Sequence, residues 1–520
     1  MYPPFNEIDE YLEDHPDKPF ILIEYCHSMG NGPGDFEDYF QKFHKEDIMC
    51  GGFVWEWCDH GIYKGVAENG KEMYYYGGDH GEDVNDSNFC MDGLVYPDRR
   101  PHTGLLEYKN VHRPIRVLAF NQNEKKITFH NYLDFTNAKD YIRMKYEVCC
   151  DGQIKEEGEL PSVSIEPQKS ETVELPIEIP EKGSAFLKVY YYSTKQTALV
   201  PSGHLLGFDE IALENVDRRN QEVVQIIEKF GTAEDEIKIT ENDAFVSLEG
   251  KQFKYQLDKR TGLFVNLEFD GVEQIEKPME INIWRAPTDN DMYIKTEWYR
   301  AKYDKTSVRA YDSQVQRVGN TVSIHCHMSM SADTVQKILG MDTIWTVDGN
   351  GAIRLDMKVE RYPEFPMLPR FGLRLFLDKH MDNVKYYGMG PTESYCDKHR
   401  ASSHGIYSAN VKDLHEDYIK PQENGSHYDC AYVNVEGNSY KLAALSEKAF
   451  SFNASVYTQE ELTAKKHNFE LQPSANTVLC LDYAQNGIGS NSCGPELAEQ
   501  YRLDSKEFEF SIRLIPYKNC

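Results

Sequence analysis

Two periodicities divide the chain. Near its beginning, Phe20-Ile21-Leu22-Ile23 is a short continuous apolar run, the pattern of a strand buried on both faces. After a loop holding Gly30, Gly32, Pro33 and Gly34, the apolar residues Phe36, Tyr39, Phe40 and Phe43 fall at i, i+3, i+4 and i+7, one face of a helix. Acidic residues crowd the first turn of that helix, where its dipole favours them. Gly51-Gly52-Phe53-Val54-Trp55 then reads as a second buried strand, completing a parallel βαβ unit. A closed barrel needs eight strand–helix units, and about two are visible here.

From about residue 115 the pattern becomes the two-residue alternation of half-buried strands. Residues 127–132, 141–146 and 186–192 are examples, and Asp151-Gly152 supplies a hairpin turn. About a hundred residues of this kind, ending near 207–213, predict a small antiparallel, immunoglobulin-like sandwich. Residues 215–236 are polar and read as a connector. Alternation then resumes to the end: 253–257 turns at Gly262 into 263–269, 344–347 turns through 348–351 into 353–359, and 508–514 closes the chain. The expected architecture is multidomain. A partial (β/α) barrel over 1–114 precedes the small sandwich over 115–214 and a large antiparallel β-sandwich over 237–520.

Composition sharpens the functional classes. Hydrophobic residues make up 40% and charged residues 27% of the 520, an ordinary globular balance. Asp plus Glu number 85 against 56 Lys plus Arg, a formal charge of −29, which repels phosphate backbones and anionic lipid. Nucleic-acid and membrane partners are therefore not expected, and no apolar run reaches membrane-spanning length. Residues 1–17 are acidic and lack the order of a signal peptide. The 12 cysteines include no C-x-x-C pair, so reduced thiols in a cytoplasm are expected rather than zinc or a disulfide framework.

Glu24 follows directly on an apolar strand, where parallel barrels place their active sites. Trp55 stands at the equivalent place on the next strand, where an indole face can stack on a sugar ring. Position alone leaves both open: Glu24 equally fits a salt-bridge partner, and Trp55 a core residue.

Motifs resolve the choice. Ile21-Leu22-Ile23-Glu24-Tyr25-Cys26-His27-Ser28-Met29-Gly30-Asn31 closely resembles the nucleophile segment of family 2 glycoside hydrolase β-galactosidases. The resemblance continues in order through 51–57, Tyr76-Gly77-Gly78-Asp79, Asn88 to Val95 and Pro97-Asp98-Arg99. Trp284 to Asp291 resembles the signature of that family's large C-terminal sandwich, and Gly388 to Tyr395 and Gly487-Ile488-Gly489-Ser490 resemble further family motifs.

The resemblance implies a retaining mechanism with Glu24 as nucleophile. It implies that His27 contacts sugar hydroxyls, that Trp55 is the platform beneath the sugar, and that Phe89 (through its carbonyl) and Asp92 help hold a sodium ion. Some members have asparagine at the position of Asp92. Cys493 falls where some members stack a tryptophan on substrate. Glu56 alternates with Trp55 and Trp57 and is expected to point away from the pocket. His325 and His327 share one strand face with no third ligand in view, so a surface strand is expected.

No segment matches the family's acid/base glutamate or its magnesium ligands, and Met1-Tyr2-Pro3-Pro4 resembles an internal stretch of the family. The expectation is a truncated product or one part of a split enzyme, inactive without a chain supplying the earlier barrel strands, and an oligomer as family members often are. The rival readings are a non-catalytic carbohydrate-binding or assembly subunit, and a glycosidase for a glucuronide or mannoside.

Overall fold

The computed structural model describes residues 1–14, 17–230 and 235–518. Strands β1 (Phe20–Tyr25) and β2 (Met49–Val54) pair in parallel, with α2 (Phe36–Lys45) crossing between them, as the apolar periodicity requires. Helices α1 (Phe5–Glu13), α2 and α3 (Thr103–Val111) cover one face of this pair. Ile8, Leu22, Tyr25, Phe36, Tyr39, Phe40, Met49 and Val111 form its core.

The opposite face departs from the expectation of burial on both sides. Ile21, Ile23 and Phe53 are exposed, Ile23 by 59% and Phe53 by 63%, and Trp57 beyond β2 is exposed as well. Apolar side chains at alternate positions of a parallel pair are the pattern of a sheet covered twice, and within this chain it is covered once.

The small sandwich follows. After a hairpin of β3 (Ile62–Val66) and β4 (Glu72–Tyr75) come β5 (Ile115–Asn121), β6 (Lys126–Asn131), β7 (Ile142–Cys150), β8 (Gln153–Glu159), β9 (Ser170–Glu174), β10 (Ala185–Ser193) and β11 (Leu205–Ala212). A three-stranded sheet, order β5-β6-β9, faces a four-stranded one, order β11-β10-β7-β8. The β7–β8 hairpin turns at Asp151-Gly152 as expected.

The connector is more ordered than its polarity suggested. It contains α4 (Gln221–Phe230), whose Val223 is buried against Tyr387, Tyr432 and Ala443. Val223, Ile226 and Ile227 are too few to dominate a polar window, yet their spacing puts them on one helical face.

The large sandwich packs a five-stranded sheet against a twelve-stranded one that runs from Glu280–Asn282 at one edge to Thr306–Val318 at the other. Their shared core includes Trp298, Trp345, Tyr255 and Phe371. His325 and His327 lie exposed on one strand of it, His327 paired with Asp342 at 2.6 Å, as a surface strand predicts. No helix among the described residues is long and apolar enough to cross a membrane.

Candidate functional site

Glu24 is half-buried at the C-terminal end of β1. Backbone bonds tie the neighbouring ends together: Trp55 N–H donates to the Tyr25 carbonyl at 3.3 Å, and Ser28 N–H to the Trp55 carbonyl at 2.7 Å. The two strand ends and the loop after Glu24 thus form one rigid rim.

The other residues singled out in the sequence gather on this rim. Trp55 Nε1 donates to Asp92 Oδ2 at 3.0 Å, and His27 Nε2 lies 3.5 Å from the same oxygen. The second oxygen, Asp92 Oδ1, is buried and has no hydrogen-bond partner. Phe89, in the turn Ser87–Cys90, sets its ring 5.3 Å from that of His27. Cys493 is exposed, and its partial burial together with the carboxylates of Glu24 and Asp92 pushes its thiol up.

Two side chains stand in the site that the sequence reading had not placed there. The Tyr2 backbone N–H donates to the Glu24 carbonyl at 3.2 Å. Its hydroxyl is buried without a hydrogen bond of good geometry, and burial together with the facing Glu24 carboxylate raises it far above the usual phenol range. No sequence signal beyond the family-like Met1-Tyr2-Pro3-Pro4 pointed to it.

Glu56 is the second, and it corrects an expectation. Strand β2 ends at Val54, so the alternation that would turn Glu56 away does not extend to it. Its N–H donates to the Asp92 carbonyl at 2.8 Å. Burial and the neighbouring Asp92 carboxylate raise its carboxyl above the ordinary range, against the pull of His60 at 3.6 Å.

The loop that follows Glu24 is enclosed by the large sandwich. Asn31 receives Lys398 Nζ on Oδ1 at 2.7 Å, donates through Nδ2 to the Glu423 carbonyl at 2.8 Å, and through N–H to Gln422 Oε1 at 3.1 Å. Gly34 N–H donates to the Gly489 carbonyl at 2.9 Å. A Cβ added at Gly34 would sit 2.2 Å from Asp397 Oδ2, so only glycine allows this approach. Asp289 accepts from Asn88 at 2.9 Å and from Gln422 at 2.8 Å. Arg285 braces the same turn through a buried bond to Asp291 at 2.7 Å. The segments 284–291, 388–395 and 487–490, separate motifs in the sequence, therefore converge on one loop of the barrel.

The arrangement offers a carboxylate at a strand end, an indole, an imidazole and a phenol, with a buried carboxylate oxygen free to meet a cation. Among the described residues, no group of three or more His, Cys, Asp and Glu side chains forms a metal site.

Comparison with known proteins agrees with this organisation. The TIM barrel domain of the glycosyl hydrolases family 2 matches residues 1–117, domain 4 of β-galactosidase matches 127–214, and the β-galactosidase small chain matches 249–514. A β-galactosidase of Actinobacillus pleuropneumoniae is 44% identical over 517 residues, covering 99% of this chain and 49% of the relative. One of Staphylococcus xylosus is 38% identical over 520 residues, covering 99% and 51%. One of Kluyveromyces lactis is 30% identical over 531 residues, covering 99% and 49%. The chain spans about half the length of the curated relatives it matches. It belongs to the β-galactosidases of glycoside hydrolase family 2, and corresponds to their C-terminal part.

Proposed function

We propose that this site hydrolyses terminal β-D-galactosides such as lactose by a retaining double displacement. Glu24 attacks the anomeric carbon and forms a covalent glycosyl-enzyme, which water then hydrolyses. Trp55 carries the apolar face of the sugar, His27 meets its hydroxyls, and Cys493 lies at the mouth. The observation that carries this reading is the convergence of Tyr2, His27, Trp55 and Asp92 around the strand-end carboxylate of Glu24. The relatives are β-galactosidases, which supports the choice of sugar.

The mechanism needs a second carboxyl to protonate the leaving oxygen and then activate water. The family resemblance puts the acid/base glutamate on earlier barrel strands that no segment of this chain matches, and we assign that group to protein carrying those strands. The same protein would supply barrel strands over Ile21, Ile23 and Phe53, whose exposed face is costly to leave open. Asp92 Oδ1 and the Phe89 carbonyl are the sodium ligands this chain would contribute, and the orphaned buried oxygen fits a hard cation. Bound there, sodium supplies positive charge beside the sugar hydroxyls. Magnesium has no matching ligands in this sequence.

The test is complementation. The chain is mixed with the separately expressed N-terminal portion of a related β-galactosidase and assayed on a panel of chromogenic glycosides. Hydrolysis of the galactoside by the mixture, lost in Glu24→Gln, is the expected result. A stable complex that cleaves no galactoside would overturn it and favour a sugar-binding or assembly role.

A further inference from the structure

The hydrogen bonds around His27 determine which of its nitrogens carries the proton. Asn290 Oδ1 accepts the backbone N–H of Ser492 at 3.2 Å, and Asn290 Nδ2 donates to the backbone carbonyl of Asn31 at 3.2 Å. A backbone N–H only donates and a carbonyl only accepts, so the amide cannot be flipped. Oδ1 is then an acceptor, and it takes the hydroxyl proton of Ser492 at 2.9 Å. Serine has one such proton. Toward His27 Nδ1, 2.8 Å away, Ser492 Oγ can therefore only accept. His27, Ser492 and Asn290 are all buried, so water does not offer an alternative partner at little cost.

We infer that Asn290 and Ser492, two residues of the large sandwich, are positioning residues that hold His27 as its Nδ1–H tautomer and present Nε2 to the site as a lone pair. Nε2 sits 3.5 Å from Asp92 Oδ2, beyond the roughly 2.7–3.2 Å of a good N–H···O bond. Asp92 Oδ2 already accepts from Trp55. Two acceptors side by side make a socket for a donor, and a sugar hydroxyl is the matching class. That last step rests on the galactosidase reading, whereas the tautomer does not. The large sandwich thus sets the polarity of a barrel side chain that it touches 465 positions away in sequence.

The experiment is long-range ¹H–¹⁵N correlation on the whole chain labelled with ¹⁵N-histidine. Spectra are recorded at a pH high enough that the ring shifts no longer move. His27 is assigned among the 17 histidines by the signals lost in His27→Asn. The expected result is a protonated Nδ1 and an unprotonated Nε2. Ser492→Ala should move the proton to Nε2, where Asp92 accepts it, and Ser492→Thr should restore Nδ1–H. Should Ser492→Ala not fold, Asn290→Leu serves, because it frees the Ser492 hydroxyl to donate to Nδ1 and moves the ring proton to Nε2. A protonated Nε2 in the unmutated chain, or an Nδ1–H unchanged by these substitutions, overturns the inference. No hydrolysis is measured, so failure of the galactosidase reading leaves this result standing.

Discussion

The Ser490 hydroxyl donates to Asp35 Oδ2 at 2.6 Å, joining residues 455 positions apart. Asp35 opens α2, directly after the glycine loop that follows Glu24, and burial lifts its carboxyl to about 6 against the pull of this bond. The C-terminal sandwich thereby anchors the start of α2 and, with it, the end of the loop that follows Glu24. A site divided in this way makes distinct predictions for its chemistry, its clamp and its response to pH.

Glu24→Gln keeps the shape of the side chain and removes the proposed nucleophile. In the complemented enzyme, galactoside turnover should fall on the order of 10³-fold or more, with the circular dichroism of the chain unchanged. Turnover within about tenfold of the parent would remove Glu24 from the mechanism.

Tyr2→Phe separates function from stability. The hydroxyl is buried without a well-formed partner, so deleting it should not lower the unfolding midpoint. It faces Glu24, and its loss should reduce kcat by roughly 10²-fold if it assists proton movement there. An unchanged kcat would make Tyr2 a wall residue.

Lys398 and Glu393 form a buried pair at 3.1 Å, and Lys398 also reaches Asn31 Oδ1 at 2.7 Å and Thr103 Oγ1 at 2.6 Å in the barrel portion. Lys398→Met leaves Glu393 buried without its cation and should cost about 3–5 kcal/mol in urea unfolding. Adding Glu393→Gln should recover part of that loss. Additive costs would show that the charges act independently.

His404 links the two sandwiches. Its Nδ1 bonds Glu210 at 2.7 Å, its Nε2 bonds Asp429 at 3.0 Å, and its ring stacks on Phe186 at 4.1 Å. Burial alone would lower its pKa, but the bonds to Asp429 and Glu210 raise it to about 9. The folded value lies above the unfolded value of about 6.5, so the protonated ring stabilises the fold fully below pH ~6.5. That stability, about 3 kcal/mol, is lost as pH rises through about 9. Thermal midpoints from pH 6 to 9.5 should decline, and His404→Gln should flatten the decline. A parent profile as flat as the variant's would show that the clamp does not titrate.

The barrel unit was legible because its signals are local. Leu22, Tyr39 and Phe40 are buried where the strand and helix periods put them, since periodicity reports which face an element hides. Helix α4 was not legible, because its few apolar residues count only once Tyr387 and Tyr432 are beside them. Glu56 was misdirected because alternation holds only while the strand does, and the strand stops at Val54.

The site divides along the same line. The sequence by itself determined the family, the order of its parts and the strand-end carboxylate of Glu24, because these lie in contiguous residues whose types and spacing are constrained by one local backbone. Only the tertiary structure decided that Tyr2 faces Glu24, that Asp92 joins Trp55 to His27, and that Ser492, Asn290 and Lys398 hold the loop between them. Those contacts span tens to hundreds of residues, and hydrogen bonds a few ångströms long leave no periodicity in the chain that makes them.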